Sequence, residues 1–303
     1  MNSELEKILS SEQMAAILEA TGDYRVLRRL RPGTSQAEAP PGSKRGVLLD
    51  VETTGLDPDV DEIIELAMLP FFYSDDDEIV GVGVPFNELR QPTRPIPAEV
   101  TKLTGIDQDM VAGKSIDPDS VSRFAGGSLI VAHNAAFDRR FMEKFCPSFA
   151  RNPWACSMSE VPWKDHGFET NKLAFLAATS GFYYDRHRAV HDCHAAVELL
   201  ARPLAATGTS ALKVLLASAR TNSVRCWAEN SPFEKKDILK ARGYRWNGDN
   251  TRQPRGWWID VTEADLSAEI SFLHADIYQR EAPIRRSAIT AFNRYSDRFF
   301  TVS

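Results

Sequence analysis

The sequence predicts an α/β fold in which a mixed sheet is covered by helices. Three observations carry that expectation. Strand-like runs come first, at residues 46–52, Ile63–Tyr73 and residues 78–86. A short apolar run, Leu129–Ala132, then leads straight into a helical pattern at Ala135–Phe145. Further helices follow at residues 171–179 and 189–204, so strands are succeeded by strands alternating with helices.

Taken in order, residues 1–31 read as a helical N-terminal segment, because Leu5, Ile8 and Leu9, then Met14, Ile17 and Leu18, fall at helical spacing. Arg25, Arg28, Arg29 and Arg31 read as a solvated helix face rather than a phosphate site. Residues 32–45 are rich in Pro, Gly and Ser and read as a linker. The main domain is expected at 46–207. Its first strand ends in the turn Thr53-Thr54-Gly55, and Asp75-Asp76-Asp77 separates the second strand from the third. Residues 96–103 form a short helix opening at Pro97, which suits a first turn. Another short helix is expected at 119–124. Residues 208–303 read as a small α+β module: a helix at 211–219, strands at 224–228, 244–246 and 256–261, a helix at 234–242, and an amphipathic helix at 266–278. The last twenty-five residues carry no pattern.

At 303 residues the chain is long enough to bury a sizeable core. Its four cysteines (Cys146, Cys156, Cys193, Cys226) form no C-x-x-C pair, which argues against a zinc ribbon or disulfide framework and suits a reducing compartment. No apolar run reaches membrane-spanning length and the acidic start MNSELEKILS does not read as a secretory signal, so a soluble, cytoplasmic protein with no membrane partner is expected. Net charge is −6, unevenly spread. Residues 220–260 hold 9 Lys and Arg against 5 Asp and Glu, whereas residues 1–219 hold 22 against 31. A basic, aromatic-rich segment on an acidic body points to a polyanion held by the C-terminal part.

The chemistry is concentrated in three acidic motifs. In GVLLDVETTGL, Asp50 and Glu52 lie two apart on a strand and share a face, about 6–7 Å apart. Neighbouring carboxylates repel, and hard divalent cations resolve the conflict, since Mg²⁺ favours carboxylate oxygen and keeps positions for phosphate and water. In LIVAHNAAFDRRF, Asp138 lies early in a helix, one turn after Asn134, with His133, Arg139 and Arg140 adjoining. In HRAVHDCHAA, His187 precedes Asp192 by five residues, placing the histidine in a loop and the aspartate on the next helix. His187 and His191 at i, i+4, with His194 nearby, leave a zinc pair open as an alternative, though no H-E-x-x-H context supports it.

DVETTGL, AHNAAFD and HRAVHD, in that order, resemble the three motifs of the DEDDh (DnaQ-like) 3′→5′ exonuclease family, and the resemblance spans residues 46–203. It implies a ribonuclease-H-like mixed sheet with flanking helices. By matching position it implies Asp50, Glu52, Asp138 and Asp192 as ligands of two divalent cations, Mg²⁺ or Mn²⁺, with His187 as general base. A nucleoside 5′-monophosphate would be released. The substrate implied is nucleic acid: single-stranded DNA 3′ ends first, RNA as the alternative, and a non-catalytic binding protein as the rival of another class. Thr53, Leu103, Thr104, Gly105, Ile106, Asn134 and Phe137 would position the terminal nucleotides, against a bland reading as core and turn residues. Association with a polymerase is left open.

In the module, Lys235, Lys236, Lys240, Arg242 and Arg245 supply cations for phosphates, and Trp246 and Trp258 offer ring faces for bases. The pattern PFEKKD…LKARGYRW…GWW resembles small modules that accompany nucleic-acid enzymes. Some of these aromatics must build the module's own core. Trp257 and Trp258 point to opposite faces of any strand, so one belongs to the core and the other stays available.

Overall fold

The computed structural model describes residues 10–248 and 254–300. It opens with α1 (Ser11–Ala20), started by a reciprocal cap between Ser10 and Gln13. The first cluster of apolar residues assigned to a helix, Leu5, Ile8 and Leu9, lies outside the described residues. Residues 24–30 are extended rather than helical: β1 (Arg28–Arg29) pairs in parallel with Phe182–Tyr183. The arginines there serve intramolecular contacts. Arg28 bonds Glu12 and Glu19, Arg29 pairs with Asp185, and Arg25 donates to the carbonyl of Ala178 at 3.0 Å. The linker is laid along the sheet, with the Gln36 amide donating to the Val82 carbonyl at 2.8 Å.

The main sheet comprises β2 (Lys44–Thr53), β3 (Ile63–Tyr73), β4 (Ile79–Val82), β5 (Phe86–Leu89), β6 (Leu129–Ala132) and β7 (Trp154–Cys156). Its order is β4-β3-β2-β6-β7, and β5 also pairs with β3. β2 runs antiparallel to β3 and parallel to β6, and β6 is parallel to β7, giving the expected mixed sheet. β3 is buried along its whole length, as its near-continuous apolar run requires. The expected third strand is two strands, because the chain leaves the ladder at residues 84–85, at Pro85.

Between β5 and β6 lie α2 (Ala98–Thr104), capped by Pro97, then α3 (Gln108–Val111) and α4 (Pro118–Ala125). α5 (Ala135–Phe145) follows β6 directly. After β7 come α6 (Leu173–Thr179), β8 (Phe182–Tyr183), α7 (Ala189–Ala201) and α8 (Ala211–Arg220). Helices cover both sheet faces. Leu48, Leu69 and Phe71 pack with the apolar residues of α6, α7 and α8. Val47, Leu49, Met68 and Trp154 pack with those of α4 and α5. α8, expected at the start of the C-terminal module, is therefore buried with the main body: Leu212, Leu215 and Leu216 lie in the α7 layer. All four cysteines are buried and free. Among the described residues, no helix is long and apolar enough to cross a membrane.

The module is an antiparallel sheet ordered β10-β11-β9-β12, built from β9 (Ser223–Ala228), α9 (Lys236–Ala241), β10 (Arg245–Asn247), β11 (Gly256–Thr262), α10 (Leu266–Phe272) and β12 (Arg285–Ile289). α10 continues as a π-helical turn over Leu273–Tyr278. One sheet face packs Ala228, Trp257 and Ile259 against Leu239, Tyr244, Leu273 and Ile277. Trp258 lies on the other face, so the two adjacent tryptophans divide as alternation demands.

The patternless tail contributes β12, and the chain after it returns to the main body. The fully buried Arg139 donates to the carbonyls of Arg294 (2.7 Å), Phe292 (2.7 Å) and Ala291 (3.4 Å), and its Nε bonds Glu143. The Trp154 amide donates to the Ala291 carbonyl at 2.7 Å, so the tail covers the β7 edge. Arg294 and Tyr295 both bond Glu160, and Arg140 pairs with Asp297 at 2.8 Å. Replacing Arg139 by Met strands three tail carbonyls and the half-neutralised Glu143. The expected result is a loss of about 3 kcal/mol of unfolding free energy in urea titration, since truncating one partner of a buried charged network costs about 3–5 kcal/mol.

Candidate active site

β2 alternates in its allegiance. Val47, Leu49 and Val51 face the α5 layer, while Leu48 faces the α7 layer. Asp50 and Glu52 continue the row begun by Leu48 and so reach the space beneath the start of α7. Asp192, in the first turn of α7, meets them there: carboxylate oxygens of Asp50, Glu52 and Asp192 lie within 4.8 Å of one another. Asp138 is brought to the same strand end from the opposite layer. It is buried, and its Oδ1 accepts the Val51 amide, between the two strand carboxylates, at 3.2 Å. Its oxygens are not part of the closest trio.

The remaining hydrogen bonds hold these groups in place. Asp192 Oδ1 accepts from the Tyr184 hydroxyl at 2.7 Å, and its Oδ2 from the His187 amide at 2.9 Å. His187 adopts the left-handed backbone, φ 62°, which is uncommon for a residue other than glycine and carries a conformational cost. A fifth carboxylate, Glu65 on β3, stands opposite Glu52 in the β2–β3 register. Glu65 is fully buried, forks with the Arg188 guanidinium at 3.0–3.3 Å and accepts the Ala189 amide at 3.1 Å. It therefore pins both residues that follow His187.

Electrostatics follow from this crowding. Burial, together with Asp192, Asp138 and Glu52, raises the Asp50 carboxyl well above the ordinary range. Burial and the facing charges of Asp192 and Glu65 push Glu52 up to about 8. Burial raises Asp138 to about 7 despite the opposing Val51 hydrogen bond. Asp192 is raised by burial too, opposed by its bonds to Tyr184 and His187. A cluster this reluctant to ionise is suited to divalent cations, which favour the charged form of each ligand.

The other expected residues separate into several environments. Thr53 is buried, with its hydroxyl on the Gly55 carbonyl. Leu103 is exposed at the end of α2, and Gly105 takes the left-handed turn that closes that helix, φ 72°. Thr104 bonds the Val100 carbonyl and accepts the Ile106 amide. Ile106 is fully buried against Ile64 and Val111, so its side chain is core and is unavailable to a substrate. Asn134 is exposed, in a left-handed conformation just before α5, so it does not share a helical face with Asp138. Phe137 is half-buried against Phe141. His133 is braced between Ser157 and the Asn171 carbonyl, and burial lowers it to about 4, making it a neutral structural residue. Among the described residues, neither His187 nor His191 joins a group of three or more ligand atoms close enough to share a cation.

The expected contacts of the module do not form one surface. Lys235, Lys236 and Lys240 belong to the helical layer, and Trp246 packs near Trp257 on that side, with ring centres 5.5 Å apart. Arg242 is bound to Glu269 and lies over Phe272, so its charge is already matched. Arg245 and Trp258, paired in the β10–β11 register, face the other way. Glu65, Tyr184 and Arg188 were absent from the sequence expectations. A lone glutamate inside the apolar run IIELAMLPFFY is a legible signal for Glu65, because a buried carboxylate needs a partner. Tyr184 carried no comparable signal.

A family model described as Exonuclease (RNase_T) matches residues 47–200. A DNA polymerase III PolC-type protein of Thermotoga petrophila is 42% identical over 131 residues, covering 42% of this chain and 8% of that protein. The DNA polymerase III subunit epsilon of Treponema pallidum is 31% identical over 166 residues, covering 52% of this chain and 74% of that protein. Exodeoxyribonuclease 10 of Escherichia coli K12 is 28% identical over 160 residues, covering 50% of this chain and 66% of that protein. The chain thus spans about a tenth of the PolC-type relatives it matches.

Carboxyls raised in the folded state bind more protons than in the unfolded chain between about pH 4 and pH 8, so stability falls as pH rises through that window. Differential scanning fluorimetry of the metal-free protein is expected to show a lower Tm at pH 8 than at pH 5.5. Mn²⁺ should raise Tm at pH 8 and much less at pH 5.5. Asp50→Asn should raise the metal-free Tm at pH 8 and abolish most of the Mn²⁺ gain.

Proposed function

The chain belongs to the RNase_T exonuclease family, in its DnaQ-like (DEDDh) branch, and from that premise we propose that it is a metal-dependent 3′→5′ exonuclease acting on single-stranded DNA ends. The observation that carries the reading is the convergence of Asp50, Glu52 and Asp192 at one strand end, with Asp138 bonded between the first two. The donor set fits hard divalent cations: every side chain in the cluster offers carboxylate oxygen, and Arg188, whose charge reaches Glu52, is engaged by Glu65. Asp50, Glu52, Asp138 and Asp192 would hold two ions, Mg²⁺ or Mn²⁺. When bound, these supply the positive charge that favours hydroxide over water and stabilises the departing oxygen.

The chain's own residues do the rest. His187 accepts the proton of the attacking water, whose oxygen forms a bond to the terminal phosphorus as the bond from phosphorus to the neighbouring 3′ oxygen breaks. The products are a nucleoside 5′-monophosphate and a strand one residue shorter, whose 3′ oxygen takes up a proton. Asp192 and Glu65 fix the loop that carries the base, the first through the His187 amide, the second through Arg188 and Ala189. The exposed Leu103 offers an apolar contact to the last base, and the 53–55 turn and Asn134 flank the end of the strand. DNA is favoured over RNA by the names of the relatives, which are DNA polymerase subunits and an exodeoxyribonuclease.

A 5′-labelled single strand, as DNA and as RNA, tests the reading directly. With Mg²⁺ a ladder shortening from the 3′ end is expected, faster on DNA and absent in EDTA. His187→Ala should lower kcat at least about 100-fold, as removal of a general base typically does, and Asp192→Ala should lower it further. Intact oligonucleotides under every metal condition would sink the enzymatic reading.

A further inference from the structure

Between α5 and the module sheet lies a cleft of about 550 Å³. Asn134, at the start of the helix that carries Asp138, is among its lining residues. Its walls come from both parts of the chain: Arg140 and Met158 from the main body, and Arg225, Arg245 and Trp258 from the module. The module presents here the sheet face that its own helices leave uncovered. The Trp258 ring lies between two guanidiniums, with Arg225 Cζ 3.7 Å and Arg245 Cζ 5.3 Å from its centre.

Charge decides what such a cleft would take. Four arginines line it (Arg140, Arg225, Arg245, Arg294) against two acids, Asp260 and Asp297. Asp260 is matched by Arg225, Asp297 by Arg140, and Arg294 by Glu160. Arg245 is exposed and has no carboxylate within ion-pair distance among the described residues. The cleft thus keeps a net positive charge on a chain of net charge −6, and the Arg245 guanidinium presents forked donors suited to phosphate oxygens. Its volume is that of a site for one small molecule, enough for a nucleotide or two of one strand.

We propose that this cleft is a second subsite for single-stranded nucleic acid, holding the phosphates a few nucleotides behind the 3′ end. The inference rests on the exonuclease reading for its polarity, since Asn134, which lines the cleft, immediately precedes the helix that carries Asp138. The Arg245 guanidinium, steadied over Trp258, bonds a backbone phosphate, and Arg140, on the helix that carries Asp138, lines the opposite wall. A strand too short to span from the cluster to Arg245 gains nothing from the subsite.

Two measurements test this separately from the hydrolytic reading. The first is kcat/KM for a 12-nucleotide single strand divided by kcat/KM for a trinucleotide. Arg245→Gln is expected to lower that ratio about tenfold, chiefly through KM of the longer strand, and Arg140→Gln to lower it in the same direction. The second is fluorescence-anisotropy binding of the 12-mer in Ca²⁺ across a salt series. Arg245→Gln should weaken binding and reduce the slope of log K against log salt by about one, the signature of one lost phosphate contact. An unchanged ratio and slope in both variants overturns the subsite while leaving hydrolysis standing. Equal loss on the two substrates overturns it as well, because the damage would then lie at the cluster. If the wild-type protein cuts neither substrate, the salt-slope difference still upholds or overturns the cleft, and only the exonuclease reading falls.

Discussion

Mutual repulsion among buried carboxylates is the constraint around which this molecule is arranged. Asp50, Glu52 and Asp192 are held closer together than water alone would make comfortable, with Asp138 and Glu65 at their margin. Left to itself the cluster would spread or protonate. It is held by the two packed layers behind it: β2 and β3 cannot move apart without opening the α7 core, and α5 cannot withdraw without opening the other. Polar support is equally specific. Asp138 has the Val51 amide, Asp192 has Tyr184 and the His187 amide, and Glu65 has Arg188 and Ala189. The hydrophobic layers thus hold in place a site that is electrostatically unfavourable until a cation enters.

Much of this was readable from the chain. β3, β6 and α5 have the bounds that their apolar runs and turn residues announced, because a strand buried on both faces and a helix beginning straight after a strand leave strong local signals. The carboxylate cluster was legible because its members are acidic residues in patterned positions. What escaped was held by backbone rather than by side-chain pattern. β7 is three residues long, β1 and β8 two each, and none can show periodicity. Residues 24–30 were misassigned because their arginines fit a helix face equally well, and only the pairing with β8 decides the matter. Ile106 illustrates the reverse case, in which an apolar residue inside a family-like segment is simply core.

The C-terminal module is joined to the main body more closely than a tethered accessory would be. α8 is buried in the main core, β9 follows within three residues, and the chain after β12 returns to lie against α5 and β7. This double attachment gives the cleft two walls with a settled separation. The aromatic pair Trp257 and Trp258 serves both sides of that arrangement, one ring in the module core and the other in the cleft.

The Arg139 clamp also has a temporal meaning. Its carbonyl partners lie 152 to 155 residues further along the chain. At a synthesis rate of about 5–20 residues per second, roughly eight to thirty seconds separate the emergence of α5 from that of the tail. Once β7 has followed α5, its edge and the guanidinium of Arg139 stand open on the nascent chain until the tail is made. The growing polypeptide therefore passes through a stage in which an unsheltered strand edge invites pairing with a neighbour. The tail closes that interval, so a segment made long after α5 protects the same helix that presents Asp138.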